Sequence, residues 1–267
     1  MSNLVLRILF AVVAIPVVLA VVFKGAWIFW AFALLVSELA WWEYCNILKF
    51  RGFYTKTALA GYIWIALLFL RSFYPVPSWT GTEGLIFALL VFMSFSEILL
   101  KDIAFSISRM AVQFFGAMYI GIAGYAIYLA ANLSTPGWKL FVPLLISVWA
   151  CDTFAYFTGR LCGRTPLAPA ISPKKTMEGA AGGLVGAILG FMTVLLWDGL
   201  TWYHAVILGV GVGVLSQIGD LAESLLKRWA GVKDSSHLLP GHGGVLDRID
   251  SLLFAAPFVV FYFDWIF

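Results

Sequence analysis

SQIGDLAESLLKRWAGVKDSSHLLPGHGGVLDRIDS, residues 216–251, decides how this chain is read. The 267-residue sequence carries 17 basic and 14 acidic side chains, and nine of these 31 fall in this stretch: Asp220, Glu223, Lys227, Arg228, Lys233, Asp234, Asp247, Arg248 and Asp250. His237 and His242, two of the three histidines, are here too. Both flanks are strongly apolar. Ionisable groups beside lipid are costly, so a polar island between hydrophobic runs marks a functional site by default.

The rest of the composition supplies the lipid. The chain is 62% hydrophobic, 17% aromatic and 12% charged, with a mean hydropathy of +0.95. A soluble domain carries about a quarter charged residues. The sequence is therefore an all-α polytopic integral membrane protein. A net charge of +3 gives no reason to expect nucleic acid as a partner. Cys45, Cys151 and Cys162 are odd in number and show no framework spacing, which argues against a disulfide scaffold.

Windows of about 20 apolar residues mark spans. Nine are read, near 4–23, 26–48, 57–75, 84–100, 108–131, 139–160, 177–199, 202–228 and 249–266. The first is long and lacks a small-x-small cleavage site, so it reads as a true span rather than a signal peptide. With a cytoplasmic N-terminus, only Lys24, Arg71 and Lys139 of the 17 basic residues fall on the outer side. That asymmetry is the positive-inside pattern, and it places the polar island in a cavity open to the cytoplasmic side.

Two breaks, YPVPSWTGTEG (74–84) and NLSTPGW (132–138), divide the chain. Residues 1–76 read as an N-terminal three-helix region, 77–135 as a middle two-helix region and 136–267 as a C-terminal four-helix catalytic region. Glu38, Glu43 and Glu97 in the early spans are expected to pair with Lys49, Lys101 or Arg109 near helix ends.

Within the eighth span, Ser216, Gln217, Asp220, Glu223, Ser224, Lys227 and Arg228 recur at three- and four-residue steps and share a face. Asp220 lies about 10 Å deeper than Lys227. In the sixth span Asp152, Tyr156 and Arg160 form a similar stripe, with Asp152 roughly 12 Å from Arg160. Both spans run inward, so the two carboxylates can meet in one cavity. The plainer alternative is a pair of packing salt bridges, Asp152 with Arg160 and Asp220 with the Lys227 region. At the ninth span Asp247 and Asp250 are three apart and can face one pocket. Carboxylates from several helices suit Mg²⁺, which takes one or two of them while phosphates supply further oxygens. No Cys or His pair has zinc spacing.

Between spans six and seven, Pro173 near a helix start followed by Lys174, Lys175 and Thr176 sets two cations at a positive helix N-terminus, a place for phosphate. Glu178 either caps free amides there or joins the metal site. Between spans eight and nine, Lys233, Asp234, His242, Gly243 and Gly244 form a loop in which glycine permits close backbone approach. It is not a P-loop, since GxxxxGK[ST] is absent. His242 reads equally well as a phosphate ligand, an acid or an ordinary loop histidine. Metal-binding carboxylates beside many cations at the cytoplasmic face fit nucleotidyl transfer onto a lipid phosphate. A phosphate nucleophile is already ionised, so positioning and charge neutralisation carry such chemistry.

The sequence also resembles a known family. Ser224-Leu225-Leu226-Lys227-Arg228, Lys233-Asp234-Ser235 and Pro240-Gly241-His242-Gly243-Gly244-Val245-Leu246-Asp247-Arg248-Ile249-Asp250 closely resemble the signature of phosphatidate cytidylyltransferases (CDP-diacylglycerol synthases). DTFAYFTGR (152–160), SPKKTMEG (172–179) and GDLAES (219–224) are similar to that family too. The first 130 residues match only as hydrophobic helices. The resemblance implies the reaction of CTP with phosphatidic acid to CDP-diacylglycerol and pyrophosphate, with Mg²⁺ required. Whether a second, monovalent cation joins it is left open. A homodimer is implied as well, and a bacterial inner membrane fits the loop-poor build.

Carried over to this chain, the resemblance makes Asp220 and Asp250, with Asp247 nearby, the metal candidates. Asp152, Lys227, Arg228, Asp247 and Arg248 are the catalytic candidates. Lys174, Lys175, Glu178, Glu223, Ser224, Lys233, Asp234, His242, Gly243 and Gly244 are the substrate-binding ones. The rival readings are a CTP-dependent lipid (polyprenol-type) kinase, which transfers the γ-phosphate instead, and a membrane transporter, for which inverted repeats are not evident. The DGxxAR…GxxxDxxxD pattern of CDP-alcohol phosphotransferases is missing.

Overall fold

The computed structural model describes residues 3–53, 58–73, 82–100, 103–134, 136–196, 200–239 and 241–266. Lys56, Lys101, Pro240, segment 74–81 and the side chain of Arg7 lie outside what is described. Nine α-helices run through the described residues: α1 Asn3–Lys24, α2 Ala26–Lys49, α3 Ala58–Leu70, α4 Thr82–Leu100, α5 Ile103–Ala130, α6 Trp138–Cys162, α7 Met177–Phe191, α8 Trp202–Ala230 and α9 Leu246–Ile266. They follow the nine apolar windows, except that α5 and α9 begin several residues earlier and α3 stops at Leu70, followed by a 3₁₀ turn over Arg71–Phe73. Helix α7 continues as a tighter 3₁₀ stretch over Met192–Leu196.

Six of the helices, α2 and α5 to α9 (with α7 extended to Leu196), are long and apolar enough to cross a membrane. Apolar Phe10–Lys24 and Ala58–Phe73 are shorter. The reason for so much helix is physical: away from water every backbone amide needs an internal partner, and a helix supplies it within one segment. Pro16, Pro143 and Pro257 sit inside α1, α6 and α9 without ending them, as membrane helices tolerate.

Helices α6 and α7 pack most extensively, and α8 joins α7 on one side and α9 on the other. Helix α5 packs against α2, α3 and α9, so it links the N-terminal helices to the C-terminal ones. Small residues permit the α6–α7 approach. A Cβ on Gly190 would stand 2.6 Å from the Cα of Ser147 and 2.9 Å from its nitrogen. In an apolar medium such packing, rather than hydrophobic burial, holds helices together. Gly190→Leu is expected to force α6 and α7 apart and cost about 1–3 kcal/mol. The check is thermal unfolding in detergent, where an unchanged midpoint would count against this contact.

The early helices are joined by polar anchors across apolar interfaces. Tyr44 Oη donates to Val112 O at 2.8 Å, linking α2 to α5. Trp30 Nε1 donates to Phe69 O at 2.9 Å, linking α2 to α3. Between α4 and α5, Arg109 grips Glu97 through Nε at 2.9 Å and Nη2 at 2.7 Å. Both residues are buried. This is the pairing expected for Glu97.

The connection from α6 to α7 holds the one two-stranded sheet among the described residues. Strand β1 (Pro166–Ala168) pairs antiparallel with β2 (Ser172–Thr176). The helix start placed near Pro173 is thus three to four residues later. Pro173, Lys174 and Lys175 belong to β2, and α7 opens at Met177. Thr176 is its N-cap, with extended backbone and a side-chain oxygen accepting from Gly179 N at 3.1 Å, the usual role of threonine there.

Candidate active site

Three carboxylates from three helices gather where α6, α8 and α9 meet. Asp152 stands on α6, Asp220 on α8 and Asp250 in the first turns of α9. Asp250 lies within electrostatic range of Asp220 and Asp152, and Asp152 within range of Asp220, Lys175 and Arg248. Close backbone approach brings α8 and α9 together here: a Cβ on Gly219 would stand 2.5 Å from Asp250 O. Lys175 reaches across from β2 to pair with Asp220, and Ser224 Oγ lies 3.4 Å from the same carboxylate. Asp250 Oδ1 accepts from Ser251 N at 2.6 Å. The alternative pairing of Asp152 with Arg160 is not formed, since Arg160 Nη1 donates to Tyr156 Oη at 2.9 Å.

One turn nearer the end of α8 is a buried charge triad. Lys227 Nζ lies 2.5 Å from Glu223 Oε2 and 2.5 Å from Asp247 Oδ1. The side chains of Glu223 and Asp247 are 1% and 6% exposed. The other oxygen of Asp247, Oδ2, accepts from Ser235 N at 3.0 Å and Gly244 N at 2.8 Å, and Ser235 Oγ lies 3.0 Å away. Both oxygens of Asp247 are thus engaged in holding the loop and Lys227. Glu223 Oε1 is buried without a partner among the described residues. The Tyr119 hydroxyl on α5, which lies within range of Glu223 and Asp250, is likewise buried and unpartnered.

The remaining cations border this centre. Arg228 donates to Ile171 O at 3.3 Å and Val232 O at 3.2 Å, tying the tip of the hairpin to the end of α8. Helix α8 stops at Gly231, whose φ of 77° is left-handed. That conformation lets Gly231 N and Val232 N close onto the carbonyls of Arg228 and Lys227, the ordinary use of glycine at a helix end. Lys174, Lys233, Asp234 and Arg248 are exposed. Glu178 resolves to the capping role, accepting from Arg164 N at 3.0 Å and Thr165 N at 3.2 Å. His242 lies against Phe10 of α1, ring centroids 4.7 Å apart, with Nδ1 buried and unpartnered among the described residues. Gly243 has a left-handed φ of 78°.

Sequence reasoning missed one participant. Glu43 of α2 does not pair with Lys49 or Arg109. Its carboxylate accepts from Ser235 Oγ at 2.8 Å, Ser236 Oγ at 2.6 Å, Val245 N at 2.8 Å and Leu246 N at 2.7 Å. Lys49 bonds Asn46 instead. The signal was faint: a carboxylate in an apolar helix with no basic residue three or four positions away.

No three Asp, Glu, His or Cys side chains form a ready metal cage among the described residues. The donor chemistry nevertheless fits Mg²⁺, which binds through one or two carboxylates and completes its shell with water and phosphate oxygens. Of the three metal candidates, Asp247 has its oxygens committed to Lys227 and the loop amides, whereas Asp220 and Asp250 stay in the carboxylate cluster with Asp152.

A helical membrane protein with carboxylates and cations converging at one helix junction has the equipment of a phosphate-transfer enzyme. A family profile described as the cytidylyltransferase family matches residues 5–266. The chain belongs to that family. It is 32% identical over 263 residues to the phosphatidate cytidylyltransferase of Bacillus subtilis, covering 96% of each chain. It is 38% identical over 187 residues to that of Thermotoga maritima, covering 67% of this chain and 66% of the relative. A chloroplastic relative from Arabidopsis thaliana is 52% identical over 120 residues, which are 42% of this chain and 29% of the relative. This protein is a nucleotidyltransferase embedded in a membrane.

Proposed function

We propose that this enzyme transfers the cytidylyl group of CTP to phosphatidic acid, forming CDP-diacylglycerol and pyrophosphate for phospholipid synthesis. The observation that carries the reading is the convergence of Asp152, Asp220 and Asp250 with Lys175 and Arg248 in a chain related over its whole length to phosphatidate cytidylyltransferases. A phosphate oxygen of phosphatidate attacks the α-phosphorus of CTP in line. The bond to the β-phosphate oxygen breaks, and pyrophosphate leaves with the electron pair.

Asp220 and Asp250 would hold Mg²⁺, which would supply neutralisation of phosphate charge when bound. Lys175 is placed to exchange Asp220 for a phosphate, and Lys174, Lys233 and Arg248 are free to reach CTP or the lipid headgroup. Lys227 works from within: with Glu223 and Asp247 it sets the floor on which the loop and α9 rest. The chain crosses the membrane nine times with its N-terminus in the cytoplasm. The site opens on that side of a bacterial inner membrane, and the lipid tails stay in the bilayer. Two copies form a homodimer.

The test uses purified protein in detergent with phosphatidic acid, Mg²⁺ and CTP labelled separately at the α- and γ-phosphates. Label from the α position is expected in the lipid, with pyrophosphate released. Label from the γ position would make the enzyme a lipid kinase, and no transfer from folded protein would return the site to a transport role.

A further inference from the structure

We infer that Glu43 is a positioning residue for this reaction: from α2 its carboxylate shapes the 233–245 loop and aims α9 into the site. Glu43 is fully buried, and it has no Lys or Arg partner among the described residues. A bare buried charge is very costly, so its four donors must carry it. Two of them, Val245 N and Leu246 N, belong to the opening of α9. These are amides that a helix leaves unpaired, at the end of the helix dipole that favours an anion. The other two, Ser235 Oγ and Ser236 Oγ, directly follow Lys233 and Asp234.

The arrangement reaches further through Ser235. Its hydroxyl sits between Glu43 Oε2 at 2.8 Å and Asp247 Oδ2 at 3.0 Å and donates to one at a time. Asp247 in turn holds Lys227. Gly244 completes the fit, because a Cβ there would lie 2.0 Å from Ser235 Oγ and 2.4 Å from Glu43 Oε2. Glycine at 244 thus makes room for this carboxylate, whatever it also does for a substrate. Glu43 never touches the carboxylate centre. It acts through the start of α9, four residues before Asp250, and through the loop that carries Lys233, Asp234 and His242.

The inference rests on the reading of 233–250 as part of the active site. Its test compares purified Glu43→Gln, Glu97→Gln and Asp250→Asn with the parent protein. Glutamine offers one acceptor oxygen and turns an NH₂ group toward backbone donors. Glu43→Gln is expected to raise KM for CTP and lower kcat/KM by about tenfold, at a temperature where thermal scans show it folded. Amide exchange at Val245 and Leu246 is expected to quicken, while the α6–α7 interface stays protected. Glu97→Gln also removes a buried carboxylate but only from the α4–α5 pair, and is expected to lower thermal stability with KM unchanged.

Unchanged kinetics in folded Glu43→Gln, or a KM shift matched by Glu97→Gln, would overturn the assignment. If Glu43→Gln does not fold, Ser236→Ala decides: it removes one donor at the loop and leaves the others. A rise in KM supports the assignment and an unchanged KM refutes it. An inactive Asp250→Asn beside a normal Glu43→Gln refutes this inference alone, whereas an active Asp250→Asn refutes the site itself.

Discussion

Asp250→Asn is expected to lower kcat by about 10²–10³-fold, the scale on which a lost electrostatic contact to the reacting group is felt, while the protein stays folded. Asparagine keeps the shape and the oxygen that accepts from Ser251 N. What it loses is the charge that α9 brings to Asp220 and Asp152. Asp220→Asn is expected to act similarly and also to release Lys175, its ion-pair partner. Both variants should need more Mg²⁺ for half-maximal rate, and doing so separates a metal role from a packing role. Parent-like turnover and Mg²⁺ dependence in both, with unfolding midpoints intact, would remove the metal from these two residues.

The second large effect concerns stability as much as rate. Lys227→Met leaves Glu223 and Asp247 buried without their counter-charge. Removing one member of such a group costs about 3–5 kcal/mol. That corresponds to a drop of roughly 10 °C in the unfolding midpoint for a chain of this size. Activity should fall with it, because Asp247 also holds Ser235 and Gly244. Adding Glu223→Gln to Lys227→Met removes one uncompensated carboxylate, so the double variant should regain a good part of the stability but not the activity. Such non-additivity is the mark of residues acting as one unit. A midpoint within a degree or two of the parent in Lys227→Met would mean that the triad carries no structural charge balance.

These two predictions part company over a pair of residues that looked alike in the sequence. Asp247 and Asp250 are three apart at the start of the ninth apolar window, so spacing alone put both in one pocket. The tertiary structure separates them. Asp250 turns toward the carboxylates of α6 and α8, whereas Asp247 turns toward Lys227 and the amides of the loop. Lys227 and Arg228 likewise read as adjacent catalytic candidates. Their neighbours give one a buried charge-balancing place and the other carbonyl partners, Ile171 on the hairpin and Val232 just past α8.

Helices and their order were legible because lipid leaves a chain few options. Apolar runs of sufficient length become helices, and polar residues at three- and four-residue steps line one face. The membrane class and the polar centre in 216–251 follow from that, and the family signature is visible in the residues themselves. The hairpin at 166–176 was less legible, since no apolar pattern marks its two short strands.

By itself, then, the sequence determined the apolar helices, the face of α8 that carries charge and the reaction family to which the residues belong. Only the tertiary structure decided which charges are spent inside the protein and which stand open to a substrate. The physical reason is that hydrogen bonds and ion pairs between helices depend on relative placement. Glu43 and Leu246 are 203 residues apart, and no local pattern announces that one will cap the other.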